Sequence, residues 1–93
     1  MEIESIRHKA LRKFAETGKA KGIIEPERIA RMIAFIAAAP HVDDLATPPN
    51  FGFHQLTGDL AGTCAMTVTR NWRLTFRLID DETIADLDLE DYH

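Results

Sequence analysis

The sequence predicts a single α+β domain: two N-terminal helices packed on a twisted antiparallel β-sheet. Three observations support that class. Apolar residues recur at helical spacing before Pro40, side-chain alternation replaces that spacing after Asn50, and turn residues cut the alternating part into short strands. A chain of 93 residues has material for one core only, so one domain spanning residues 1–93 is expected.

Ile3 to Ile6 reads as a short first strand. From His8 to Thr17, Leu11, Phe14 and Ala15 fall on one helical face, Lys9, Arg12, Lys13 and Glu16 on the other, and Gly18 is a natural stop. Lys19 to Ile24 is a connector. Pro26 then suits a first helical turn, where its missing N–H costs nothing. Ile29, Met32, Ile33 and Ile36 form an apolar stripe, and this helix is expected to run to about Ala39, before Pro40. His41 to Asn50, with Pro48-Pro49, is a loop.

Phe51 to Leu56 is a strand candidate, closed by a turn at Thr57-Gly58-Asp59. In Thr63 to Thr69, Cys64, Met66 and Val68 share one face. After a tight turn near Arg70-Asn71, Trp72, Leu74, Phe76 and Leu78 share a face, while Arg73, Thr75 and Arg77 share the other. Asp80-Asp81-Glu82 makes a further turn. A last strand from Ile84 to Leu89 has Ala85, Leu87 and Leu89 inward. One face of the sheet packs on the helices and the other is open for binding.

The formal charge of −4 argues against a general nucleic-acid binder, but it is unevenly spread. Residues 1–31 carry eight Lys/Arg against five Glu, whereas residues 78–93 carry seven Asp/Glu and no Lys or Arg. A basic face and an acidic final strand are expected. The single cysteine, Cys64, allows no internal disulfide and suits a reducing compartment. No apolar run is long enough to span a bilayer and the N-terminus lacks a secretion pattern, so a cytoplasmic protein without a membrane partner is expected.

The residue types able to move protons near neutral pH are concentrated at His54 and at Asp91-Tyr92-His93, with which the sequence ends. Arg70, Arg73 and Arg77 offer planar forks of donors suited to phosphate oxygens. Arg73 and Arg77 emerge on the same strand face, and Arg77 has Asp86 or Asp88 as alternative partners. His8 and His41 read as solvated surface. No His/Cys/Asp/Glu group has the spacing of a zinc motif, so neither a metal nor a cofactor is expected.

Several stretches together resemble a known family. Phe53-His54-Gln55-Leu56-Thr57-Gly58-Asp59 is similar to its L-H-x-L-K-G-D segment, and Arg70-Asn71-Trp72-Arg73-Leu74-Thr75-Phe76 to its N-W-R-I-T-F strand. Glu90-Asp91-Tyr92-His93 resembles its E-D-Y-H terminus. Ile6-Arg7-His8-Lys9-Ala10-Leu11 and Phe14-Ala15-Glu16-Thr17-Gly18 resemble its opening segments. The ordered set resembles the HigB-type killer proteins of toxin–antitoxin systems, a branch of the RelE-like superfamily.

That resemblance implies a RelE/ParE-like microbial RNase fold and a ribosome-dependent mRNA endonuclease, restrained by a HigA-type helix-turn-helix antitoxin. It places active-site residues at His54, Asp91, Tyr92 and His93. Arg73, with Arg70 and Arg77, suits the phosphate by type and placement. RNA cleavage without a metal needs a base for the ribose 2′-OH, an acid for the leaving 5′-oxygen, and cations for the phosphorane. Either of His54 and His93 can fill either proton-transfer role. Thr57 stands where the family usually has lysine. The alternative is therefore an attenuated member acting mainly as an antitoxin-binding regulatory module. A protein-directed toxin such as a gyrase poison would have no need of the Asp-Tyr-His group.

Overall fold

Both helices form where apolar spacing and end signals agree. The computed structural model describes residues 1–91. Helix α1 (Lys9–Thr17) starts at His8, whose Nδ1 accepts a hydrogen bond from the Leu11 N–H at 3.1 Å. His8 is thus a helix cap, filling one of the orphan donors of the first turn, and not the solvated residue its type suggested. Gly18 ends the helix in the left-handed region (φ 79°), its N–H donating to the Phe14 carbonyl at 2.8 Å. Helix α2 (Pro26–Ala38) has Pro26 in its first turn and buries Ile29, Met32 and Ile36 completely. The loop after it includes a 3-10 turn over Val42–Ala46 that buries Leu45. His41, the residue before that turn, pairs with Asp81 at 2.7 Å.

The sheet contains β1 (Glu2–Ile3), β2 (His54–Gln55), β3 (Thr63–Thr67), β4 (Trp72–Asp80) and β5 (Thr83–Asp91), in the order β1-β5-β4-β3-β2. Strands β2 to β5 form the expected antiparallel meander. Strand β1 runs parallel to β5, so the sheet is mixed rather than wholly antiparallel. Its pairing continues as a single bridge from Ile6 to Leu87, and of the strand expected over Ile3 to Ile6 only Ile3 lies in the regular β1.

The second strand is also shorter than its alternation suggests. Asn50, Phe51 and Gly52 all have positive φ (39°, 48° and 69°), a turn that keeps Phe51 to Phe53 out of the ladder. Such a run is costly for side-chain-bearing residues, and it persists only when the surroundings fix it.

Strand β5 departs from alternation for a definable reason. Thr75 pairs with Asp88 and Arg77 with Ala85, so β5 carries an extra residue there, and Asp86 takes φ 55°. The bulge reverses which side chains face the helices. Ile84, Leu87 and Leu89 join the core, while Ala85 lies opposite Arg77 on the other face, contrary to the inward position expected for it. A second shift sits between Leu78 and Asp80. The core lies between the helices and the sheet, built on Leu11, Met32, Ile36, Met66, Leu74 and Phe76. Among the described residues, no helix is long and apolar enough to cross a membrane.

Candidate active site

Paired residues of an antiparallel sheet share a face, so the register fixes what the open side displays. His54 pairs with Ala65, Ala65 with Thr75, and Thr75 with Asp88, forming one transverse row. The next row runs Thr67, Arg73, Glu90. His54 and Arg73 therefore emerge on the same face, two strands apart, or about 10 Å laterally at ordinary strand spacing. Ala65 is only 3% exposed because its methyl group is sunk between longer neighbours in its row.

His54 is presented by a short aromatic clasp. Phe51 packs edge-on against Phe35 of α2, with centroids 5.6 Å apart, and Phe53 stacks on Phe76 at 6.3 Å. These rings hold the segment on the helix side, and His54 follows exposed on the other. Its Nδ1 lies 3.3 Å from the Gly52 carbonyl oxygen. A carbonyl only accepts, so in the neutral ring this contact puts the proton on Nδ1 and leaves a lone pair on Nε2. An imidazole so arranged can act as a base through Nε2.

The arginines divide by what they already hold. Arg73 is half-buried, and its Nη1 donates to the carbonyls of Thr69 (2.7 Å), Arg70 (3.2 Å) and Trp72 (3.2 Å), tying the β3–β4 turn. Arg77 donates from Nε to Asp86 at 3.2 Å, and Arg7 approaches the same carboxylate at 3.9 Å. The pairing of Arg77 with a β5 acid was legible in the strand pattern. Arg70 is exposed at the hairpin turn.

Asp86, Asp88 and Glu90 line a shallow cavity of about 230 Å³ on this face with Arg7, Arg77 and the exposed Leu60. Glu90 also accepts a hydrogen bond from the Thr75 hydroxyl. The open face is consequently of mixed charge, not uniformly basic. A second depression, of about 790 Å³, is lined by His8, Lys9, Lys13, Lys19 and Lys21, which concentrates positive charge around α1.

Asp91 pairs with Trp72, a residue packed on the core, and is exposed at the end of β5. Alternation directs its side chain away from the face that carries His54, so the described residues do not bring these two together. Tyr92 and His93 lie outside the described residues. Among the described residues, no group of three or more His/Cys/Asp/Glu is arranged to hold a metal ion. Reading the sequence did not single out Gly52, Arg28 or the Asp86 bulge. Only the Pro-Pro-Asn-Phe-Gly cluster, rich in turn formers, marked one of them.

Two helices backing a sheet whose open face, among the described residues, carries one imidazole and several arginines define a RelE-like toxin fold. The model of the HigB RelE-like toxin of type II toxin–antitoxin systems matches residues 4–93, and the chain belongs to that family. Membership in a type II system implies an antitoxin partner. The chain is 33% identical over 93 residues to Endoribonuclease HigB of Proteus vulgaris, covering 98% of this chain and 99% of that protein. It is 31% identical over 77 residues to Toxin HigB-1 of Vibrio cholerae serotype O1, covering 80% and 81%. The fold is shared with YafQ from E. coli strain BL21(DE3), with a TM-score of 0.63 over 97% of this chain and 91% of that one, at 16% identity.

Proposed function

We propose that this chain is an endoribonuclease that cuts mRNA on the ribosome, acts in the cytoplasm, and is held inactive by a helix-turn-helix antitoxin of the HigA type. The observation that carries the reading is His54, exposed on the open face with its Nδ1 3.3 Å from the Gly52 carbonyl oxygen, a contact that leaves the Nε2 lone pair of the neutral ring to take a proton. The full-length similarity to Endoribonuclease HigB supports the same reaction.

In the proposed mechanism His54 Nε2 takes the proton of a ribose 2′-OH. The alkoxide attacks the adjacent phosphorus and the P–O5′ bond breaks. His93 protonates the departing 5′-oxygen, leaving a 2′,3′-cyclic phosphate and a 5′-OH. Arg73 and Arg70 hold the phosphate oxygens as negative charge builds. Arg77 contributes less, because Asp86 already engages it. Asp91 orients the terminal segment, and Tyr92 stacks on a base. The lysines around α1 provide a second, salt-sensitive contact to the RNA phosphates of the ribosome.

Purified protein added to ribosomes programmed with a defined mRNA tests the reading. Fragments ending in a 2′,3′-cyclic phosphate are expected, and a 2′-deoxy residue at the cut should abolish them. Intact message after prolonged incubation would refute it. A second reading, an attenuated member that chiefly binds antitoxin, is favoured by Thr57 in place of the family lysine and by the three carboxylates on the open face. Normal growth after induced expression would favour that second reading.

A further inference from the structure

We infer that Arg28, on the helix side of the sheet, is a positioning residue for His54 on the open side. This inference rests on the proposed acid–base role of His54.

Arg28 and Phe35 stand two turns apart on α2 and grip the same ring. The Arg28 guanidinium carbon lies 5.1 Å from the Phe51 centroid, while Phe35 meets Phe51 edge-on, at an interplanar angle of 72°. Arg28 Nη2 also donates to the Thr67 carbonyl at 3.0 Å, at the end of β3. Thr67 in turn donates its N–H to the Phe51 carbonyl at 2.7 Å. One side chain thereby joins α2, the end of β3 and the loop before His54.

That loop needs such a joint. Asn50, Phe51 and Gly52 occupy the left-handed region in succession, a conformation that persists only when several contacts over-determine it. The Gly52 carbonyl that receives His54 Nδ1 belongs to this run. If the loop relaxes, that carbonyl turns and the ring loses its fixed tautomer. Arg28 Nε is buried without a hydrogen-bond partner among the described residues. A hydrocarbon side chain would fill the space and leave no donor unpaired, so the guanidinium serves the contacts it does make.

Arg28→Met keeps most of the volume and removes both the donor and the cation; Arg28→Lys keeps the cation. Imidazole 15N shifts of the whole protein report the His54 tautomer directly, and kcat and KM are read on ribosome-programmed mRNA. The expected wild-type state is Nδ1–H. Arg28→Met should lose that preference, with kcat falling roughly ten- to hundred-fold and KM little changed, as misplacement of a reacting group does. Arg28→Lys should retain part of both. Phe51→Leu, which keeps an apolar anchor without the ring, should repeat the Arg28→Met result and serves if that variant does not fold. An unaltered Nδ1–H tautomer in the folded variants would overturn the inference. The tautomer reading does not depend on cleavage, so an inactive wild-type protein would count against the proposed function alone.

Discussion

The Nδ1 of His54 lies 3.3 Å from the carbonyl oxygen of Gly52, two residues earlier in the chain. Gly52 is held at φ 69°, and a Cβ there would sit 3.0 Å from the Thr67 hydroxyl oxygen. Gly52→Ala should therefore cost about 1–3 kcal/mol in urea unfolding. Its cleavage rate should also fall further than the unfolded fraction explains. Gly58 provides the control: its φ is 67°, yet a Cβ there meets nothing within 4 Å. Gly58→Ala should show a backbone penalty of about 1 kcal/mol and cleavage in proportion to folded protein.

Asp86 sits in the β5 bulge at φ 55° and engages both Arg77 and Arg7. Asparagine tolerates that backbone conformation, so Asp86→Asn should fold with only a small change in stability. It removes a negative charge and releases Arg77 toward solvent. Binding to a short single-stranded RNA should strengthen, and the slope of log K against log salt should steepen by about one contact. A slope equal to that of wild type would show that Arg77 does not reach phosphate.

His8 caps α1 through Nδ1. His8→Ala should lower stability by about 1 kcal/mol, the usual worth of a helix cap, while His8→Asn should retain most of it. Cleavage by folded His8→Ala protein should match wild type. A large loss of cleavage at full stability would instead give this histidine a part in RNA contact, since it also borders the lysine-lined depression.

These cases show how far the sequence could be read. The two helices were legible because Leu11, Ile29, Met32 and Ile36 keep helical spacing, and because Gly18 and Pro26 are conformational signals tied to one place. The face shared by Arg73, Thr75 and Arg77 followed from simple alternation within a regular strand. What was not legible involves residues whose conformation is set by distant partners. The parallel pairing of β1 depends on β5, over eighty positions away in the chain, and carries no local mark. The bulge at Asp86 is stabilised from Ser5, whose hydroxyl accepts the Asp86 N–H at 2.9 Å. His54 was found as a residue type and through family resemblance. Its ring orientation depends on a turn that strand-like alternation at Phe51 and Phe53 concealed.

Cys64 is fully buried in β3, and burial raises its thiol pKa from an ordinary 9.0 to about 11. Because the folded value is the higher one, the unfolded chain ionises first as pH rises. This group's contribution is intact below pH 9 and is lost progressively between about 9 and 11, at no more than about 1.4 kcal/mol per pH unit. Native protein should resist alkylation at neutral pH and react promptly once unfolded in urea. Rapid labelling of the native protein would place the thiol at the surface.

The most direct measurement is single-turnover cleavage of ribosome-programmed mRNA by His54→Gln, a change that keeps a polar side chain on an exposed strand position. With folding verified by circular dichroism, the expected rate is about 100- to 10,000-fold below wild type, the usual loss when an acid–base group is removed. An undiminished rate would contradict the assignment of this face as the cutting site.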